Sequence, residues 1–125
     1  MIIDVAGCAD GHGGEGFYHN IADNDPAEFE RACIDRPKDE TLPDQWTSQI
    51  FARILAHHPV IMVTDLCDHQ MLKDMHMTPV NTLEEVLKLA FEMKGADAKV
   101  AVIPDGWVLS SHSTSARLKR IVYNR

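Results

Sequence analysis

Three short runs rich in β-branched residues punctuate the chain, at residues 2–6, 60–63 and 100–103. The first run stops at Gly7 and the last stops at Pro104. The second and third runs are continuously apolar, which is typical of strands covered on both faces in a parallel sheet. The pattern therefore predicts three strands, two of them fully buried.

Segments with helical periodicity lie between these runs. Phe17 and Ile21 are four residues apart, which predicts a short helix over 15–22. Residues 68–75 predict another short helix. The polar, proline-bounded residues 36–43 are expected to form a surface connection.

A second helix is signalled by its start and its end. Asp25 is a good N-cap, Pro26 suits the first helical position and Glu28 stands three residues after the cap. The helix must end before Pro37. We expect four of its side chains to point inward: Phe29, Ala32, Cys33 and Ile34.

The best amphipathic pattern of the first half precedes the second strand. An apolar stripe runs along it and ends after His57-His58, where Pro59 closes the pattern. The stripe consists of Trp46, Ile50, Ile54 and Leu55.

A longer helix is predicted to begin at the capping box of residues 82–85 and to end at Gly95. Its apolar face contains Leu83, Val86, Leu87, Ala90 and Met93. Strands that alternate with helices of these lengths indicate an α/β fold, with a three-layer α/β/α sandwich and a mainly parallel, Rossmann-like sheet.

Composition and charge narrow the function. A chain of 125 residues with 45% hydrophobic content suits one compact domain. Twelve basic residues against 19 acidic ones give a formal charge of -7, which disfavours nucleic acid as a partner. We also expect no membrane partner and a cytoplasmic location, because no apolar run has the length of a spanning helix and the N-terminus lacks a signal-peptide pattern.

Metal and nucleophilic sites find little support in the spacing of residues. The three cysteines are widely spaced, so neither a disulfide framework nor a paired zinc motif is predicted. No two of the seven histidines have helical i, i+4 spacing, and adjacent His57 and His58 would point about 100° apart on a helix. No G-x-S-x-G elbow is present either. We predict no metal site and no catalytic residue in this chain.

Residues 6–20 hold five glycines, and the segment Gly11-His12-Gly13-Gly14-Glu15-Gly16 has the spacing G-x-G-x-x-G. One interpretation is a dinucleotide fingerprint, but the acidic candidates Glu30 and Asp35 fall on a helix instead of a strand end. A second is a connection whose glycines supply positive φ angles. A third is a loop at the carboxyl edge of the sheet that a substrate approaches closely, with residues 11–15 as the candidate cleft loop.

Several longer blocks are specific in combination. The runs AGCADGHGGEGFYHNIAD, LPDQWTSQIFARILAHHPVIMVTDL, DMHM, TLEE and AKVAVIPDG occur in this order from about residue 3 to residue 106. Together they resemble the C-terminal domain of the nickel-dependent lactate racemase family. The resemblance implies a domain over residues 1–109 within an isomerase that acts on a small 2-hydroxy acid.

The same resemblance implies a nickel-pincer nucleotide cofactor, which takes hydride from the carbinol carbon and returns it to the opposite face. The lysine that tethers the cofactor, its histidine ligand and the acid/base histidines of that family lie upstream of the matching region and have no counterpart here. The tryptophan of the family's PDQW motif matches Trp46, which would face the cofactor cleft. The alternative is that Trp46 is only a core anchor of its stripe.

Two functional classes follow. The favoured one is the C-terminal domain of a racemase, whose partner is an N-terminal catalytic domain. Such a domain is expected to be inactive alone and to bind no cofactor. Met1 stands directly before a predicted core strand, which favours a cut at a domain boundary. The other is a stand-alone binding or interaction module. Residues 110–125 depart from the family pattern and carry four of the 12 basic residues. This tail is predicted to be a flexible joint, a partner-binding extension, or an artefact of cloning or frameshift.

Overall fold

Three strands and five α-helices occur within residues 1–103, the part of the chain that the computed structural model describes. In chain order they are β1 Ile2–Val5, α1 Glu15–Ala22, α2 Pro26–Asp35, α3 Gln45–His57, β2 Val60–Val63, α4 His69–Asp74, β3 Thr78–Val80 and α5 Leu83–Lys94. A single turn of 3-10 helix at Lys38–Glu40 joins α2 to α3.

The three strands form a parallel sheet in the order β1-β2-β3. Ile2 pairs with Val60 at the start of the β1–β2 ladder, and Ile61 pairs with Thr78 at the start of the β2–β3 ladder. All four residues of β2 are buried, so both faces of the central strand are covered. The predicted α/β class with a parallel sheet is confirmed.

The third predicted strand is wrong. Residues 100–103 adopt no regular secondary structure, and the third strand is instead Thr78–Val80, which the sequence pattern did not indicate. A strand is defined by backbone pairing with a neighbour, so apolar residues alone do not create one. Pro79 hid β3 in the sequence, yet it is tolerated because β3 lies at an edge of the described sheet.

The chain divides into two compact units, Met1–Lys88 and a second one that begins at Leu89. In the first unit the main hydrophobic core lies between α1–α4 and one face of the sheet, since its β2 members Val60 and Met62 are alternate residues. The core consists of Ile21, Phe29, Cys33, Ala52, Val60, Met62, Leu72, Met75 and Met77.

In the second unit, Gly95 ends α5 with φ +90°, and its N–H donates to the carbonyl of Phe91 at 2.8 Å. This confirms the predicted C-cap glycine. No helix within residues 1–103 is both long enough and apolar enough to cross a bilayer.

The helix starts follow the predicted capping residues. The Asp25 carboxylate accepts from the N–H groups of Ala27 and Glu28, each at 3.0 Å. Thr82 accepts from the N–H of Glu85 at 3.2 Å, and the Glu85 carboxylate in turn accepts from the N–H of Asn81 at 2.9 Å. Each such cap stabilises its helix by about 0.5–2 kcal/mol.

The inward faces of α2 and α5 are narrower than predicted. Phe29 and Cys33 of α2 are buried as expected, whereas Ala32 and Ile34 are exposed. Side chains four residues apart share one face of a helix, and that single row is what α2 buries. In the part of α5 that belongs to the first unit, Val86 is buried while Leu83 and Leu87 are exposed.

The stripe predicted on α3 is only partly correct. Ile54 and Leu55 pack against the core, but Trp46 is 71% exposed and Ile50 is 51% exposed. The fully inward face is formed by three other residues: Gln45, Ser48 and Ala52. Two of these residues are polar, so the spacing of apolar residues did not identify the most deeply buried face of α3.

Candidate functional site

The glycine-rich loop, residues 6–14, leaves the carboxyl end of β1 and leads into α1. Its first residues are tied to the end of β2, because the N–H of Ala6 donates to the carbonyl of Val63 at 3.2 Å and the Thr64 hydroxyl donates to the carbonyl of Gly7 at 2.9 Å. The loop therefore lies at the carboxyl edge of the sheet, where ligands bind in open parallel α/β folds.

Positive φ angles occur in this loop, though not at every predicted glycine. Gly11 has φ +68° and Gly13 has φ +80°, as the turn interpretation requires. Gly14 is the N-cap of α1 with φ -171°, an extended conformation that any residue adopts, so the expectation of a positive φ is wrong there. Cys8 adds a positive φ of 50° that the sequence did not indicate.

Gly16 has a role that the sequence analysis did not assign to it. A β-carbon at this position would lie 2.8 Å from Oδ2 of Asp44 and 3.4 Å from the carbonyl oxygen of Pro43. The first turn of α1 therefore packs directly on the turn that precedes α3. In the sequence, the only indication of a close contact at Gly16 is its place as the last glycine of the G-x-G-x-x-G spacing. The dinucleotide fingerprint would place that contact against a strand, whereas here it is against the turn before α3.

The same geometry disfavours the dinucleotide fingerprint. In that fingerprint a pyrophosphate sits at the helix N-terminus, but here the Asp44 carboxylate lies beside the first turn of α1 and would repel an anion. Glu30 and Asp35 both lie in α2 and not at the end of a second strand, as the sequence analysis anticipated.

Trp46 lies in the first turn of α3 with its side chain largely in solvent. Its neighbours Asp44 and Thr47 line an open groove of about 320 Å³. The opposite wall of this groove is formed by Gly13, Gly14 and Phe17. The structure thus brings the carboxyl half of the candidate loop together with the start of α3.

Two other residues of the candidate loop lie beside a second cavity, of about 200 Å³. Gly11 and His12 stand at this cavity, whose walls are otherwise mostly apolar core side chains such as Phe51 and Met62. The His12 ring stacks on Tyr18 with centroids 4.9 Å apart, and its Nε2 is 3.6 Å from a carboxylate oxygen of exposed Glu15. Its buried Nδ1 has no hydrogen-bond partner among the described residues.

Comparison with known proteins decides the family. Residues 1–109 match the family model described as the lactate racemase C-terminal domain. The chain belongs to the lactate racemase family. This membership confirms the resemblance carried by the sequence blocks.

Individual lactate racemases agree closely with the chain. It is 58% identical over 106 residues to a lactate racemase of Lactiplantibacillus plantarum, and 52% identical over 107 residues to one of Thermoanaerobacterium thermosaccharolyticum. These matches cover 84% and 85% of this chain and 25% of each relative. The chain therefore spans about a quarter of the length of the lactate racemases it matches.

A solved structure of the lactate racemase apoprotein from Thermoanaerobacterium thermosaccharolyticum superposes with a TM-score of 0.78 at 53% identity. It matches 84% of this chain, which covers 25% of that structure. The backbone arrangement described above is thus the arrangement of one portion of a lactate racemase.

Within residues 1–103 of this lactate racemase domain, no three histidine, cysteine or acidic side chains are grouped to hold a metal ion. Nε2 of His69 lies 3.1 Å from the carbonyl oxygen of Thr64, which gives that ring a structural contact. The three cysteines are free, and burial raises the pKa of the Cys8 and Cys33 thiols. A raised thiol pKa keeps the sulfur protonated and poorly nucleophilic at neutral pH.

Proposed function

We propose that this chain forms one wall of the cleft in which a lactate racemase binds its nickel-pincer nucleotide and its 2-hydroxy acid substrate, with Trp46 facing that cleft. The observation that supports this role is the 71% exposure of Trp46, which precedes Thr47, a residue that lines the groove between the glycine loop and α3. A tryptophan that served only as a core anchor would be buried.

The surface around Trp46 also suits contact with another protein domain. Trp46 and Ile50 stand one turn apart on α3 and are both exposed, and Leu42 just before the helix is 37% exposed. Clustered apolar side chains at a surface commonly mark an interaction site. Because the chain spans a quarter of its relatives' length, the proposed partner is the N-terminal catalytic domain of the same kind of enzyme.

The described residues do not fit the role of holding the nickel cofactor. They provide no group of three metal ligands, and the family's tethering lysine has no counterpart in the matching blocks. The contribution proposed for this chain is to exclude water from the cleft and to fix the position of an aromatic surface against it. The chain alone is accordingly expected to be inactive. Residues 1–109 are proposed as the domain, with 110–125 as a separate basic tail.

The proposal is tested by a chimera in which residues 1–109 of this chain replace the matching segment of the Lactiplantibacillus plantarum lactate racemase. Interconversion of D- and L-lactate is followed by chiral chromatography. We expect the chimera to be active and its Trp46→Ala variant to be slower by about tenfold or more, since small misplacements at a reacting centre cost that much. Ile34→Ala, which truncates an exposed apolar residue on α2, is the matched control and should have no effect.

Two results would contradict the proposal. A Trp46→Ala chimera with the full rate would remove Trp46 from the cleft. Turnover above background by this chain alone, supplied with nickel and mature cofactor, would overturn its assignment as an incomplete part of the catalytic unit.

A further inference from the structure

The turn that precedes Trp46 is held by a side chain from a different helix. Asn20, in the last two turns of α1, donates through its amide nitrogen to the carbonyl oxygen of Pro43 at 2.9 Å and to the hydroxyl of Ser48 at 3.1 Å. Pro43 and Ser48 stand on either side of Trp46 in the chain, and Ser48 is completely buried. One amide group therefore fixes both ends of the short segment that carries the tryptophan.

The same segment is fixed from within. The backbone of Asp44 has a positive φ of 56°, which a non-glycine residue holds only where its surroundings enforce it. Its carbonyl oxygen accepts hydrogen bonds from the hydroxyl groups of Thr47 and Ser48, each at 2.8 Å. Because the Ser48 hydroxyl donates its one proton to the Asp44 carbonyl, it can only accept from the Asn20 amide. The donor and the acceptor of each of these hydrogen bonds are therefore defined.

A third set of contacts comes from the end of α2. The buried side chain of Gln45 accepts from the guanidinium of Arg36 at 2.6 Å and from the N–H of Leu42 at 3.1 Å. Its amide nitrogen lies 3.5 Å from the carbonyl oxygen of Cys33. Both the oxygen and the nitrogen of the Gln45 side-chain amide are thus held by neighbouring groups, while the side chain of adjacent Trp46 remains in solvent.

We propose that Asn20 is a positioning residue for Trp46, which it holds at a fixed distance from the glycine loop. Asn20 belongs to α1, whose first turn follows that loop, and its two acceptors belong to the segment that begins α3. The groove is lined by Gly13 of the glycine loop, by Phe17 of α1 and by Thr47 of the α3 segment. This inference rests on the proposed role of Trp46 in the racemase cleft.

The burial of Gln45 and Ser48, two polar members of this network, supports a positioning role over a purely stabilising one. Replacing hydrogen-bonded polar groups by apolar groups of the same shape is often neutral for stability, so stability alone does not require Asn20, Gln45 and Ser48 at these places. A satisfied polar network instead selects one arrangement of the backbone. A single arrangement is what an exposed aromatic residue needs if it is to meet a ligand in a defined place.

The test begins in this chain with Trp107→Phe as background, which leaves Trp46 as the one tryptophan. Asn20→Asp keeps the shape of the side chain but replaces the donor nitrogen by an oxygen that faces two acceptors. Asn24→Asp is the matched control, because Asn24 follows the end of α1 and its amide donates to the carbonyl of Asn20 at 3.1 Å, without a side-chain hydrogen bond to the α3 segment. Asn20→Ala repeats the substitution without adding charge.

We expect the time-resolved emission anisotropy of Trp46 to show a larger amplitude of nanosecond motion in both Asn20 variants and no change in Asn24→Asp. In the racemase chimera, Asn20→Asp should lower kcat by about tenfold with little change in KM, since displacement of a cleft residue acts on the reacting geometry. Asn24→Asp should retain the parent rate. Thermal unfolding is recorded for every variant, and rates are compared only where the protein is folded.

The outcomes separate the inference from the proposed function. Unchanged Trp46 motion in folded Asn20 variants overturns the inference, and so does an unchanged rate where Trp46→Ala itself is slow. A Trp46→Ala chimera with the full rate rejects the proposed function, and the catalytic meaning of the Asn20 contact is rejected with it. Increased Trp46 motion in the Asn20 variants, together with a kcat loss in Trp46→Ala and in the Asn20 variants but not in Asn24→Asp, supports both.

Discussion

Gly16 and Asp44 approach each other so closely that a β-carbon on residue 16 would lie 2.8 Å from the Asp44 carboxylate. The carboxylate can turn aside, but the Pro43 carbonyl oxygen, at 3.4 Å from the same point, belongs to the backbone and cannot. A β-carbon alone requires the carboxylate to move, and a branched side chain at residue 16 would in addition press on the Pro43 backbone and push α1 away from the turn before α3. The spacing of these two elements depends on a missing side chain.

Gly16→Val should lower the free energy of unfolding by about 1–3 kcal/mol, the usual cost of forcing extra atoms into a packed contact. Asp44→Ala in the same chain should recover part of the loss, because it removes the nearer of the two obstacles. A double-mutant cycle from denaturant unfolding measures this coupling. Strictly additive effects of the two substitutions would contradict the proposed contact.

Gly13→Val and Gly14→Val should differ although the two glycines are adjacent. Gly13 has φ +80°, where a β-branched residue is strained by about 1–3 kcal/mol. Gly14 is extended at φ -171°, and a β-carbon there would make an ordinary 3.6 Å contact with Asp44. Thermal unfolding should show a lower Tm for the first variant and a near-normal Tm for the second. Equal losses would mean that the loop conformation is not as described.

Truncation of Trp46 should cost this chain little stability. Trp46→Ala removes a side chain that is 71% exposed, so we expect a change of less than about 1 kcal/mol in the free energy of unfolding. Phe29→Ala is the comparison, because Phe29 is only 5% exposed and its loss should cost about 3–5 kcal/mol. Urea unfolding of the two variants beside the parent chain checks this difference. A Trp46→Ala loss as large as that of Phe29→Ala would return the tryptophan to the core.

Burial of Cys33 should make stability fall in alkaline solution. Burial raises the pKa of this thiol, and Arg36 acts more weakly in the opposite direction. Because the folded-state pKa lies above the unfolded value of about 8.5, the stabilising contribution is fully present below that pH and is lost as the pH rises through the folded-state pKa. The stability advantage of the parent chain over Cys33→Ala should therefore shrink as the pH rises above about 8.5. The free energy of unfolding of both proteins is measured by denaturant unfolding at a series of pH values. A difference between the two proteins that stays constant as the pH rises would contradict a raised pKa for Cys33.

Local signals in the sequence predicted local structure well. The bounds of α1 and the end of α3 were correct, as were the caps at Asp25 and Thr82, because each depends on residues within one turn of the helix. The burial of β2 was also predicted, since a fully apolar run leaves no face for solvent. Family membership was predictable for a different reason, namely the order and combination of long sequence blocks.

Features that depend on contacts between distant segments were missed. Gln45 and Ser48 are buried through hydrogen bonds with residues of other helices, and no periodicity of apolar residues marks such a face. The exposure of Trp46 follows directly, because turning these polar residues inward turns the tryptophan outward. Gly16 was overlooked as a contact point since its neighbour Asp44 is 28 positions away in the chain.

The glycine loop is fixed at both of its ends, and between them the exposed residues Ala9 and Asp10 lie in a turn. At the first end, the Thr64 hydroxyl donates to the carbonyl of Gly7. At the second end, the loop leads into α1, whose first turn contacts Asp44 through Gly16. The entropy of closing such a segment changes slowly with its length, by about 0.6 kcal/mol for each doubling. Insertions between the exposed residues Ala9 and Asp10 would therefore alter the loop at small energetic cost, while the parallel strands beneath it kept their register. Length and sequence can thus vary at this turn without a change of fold.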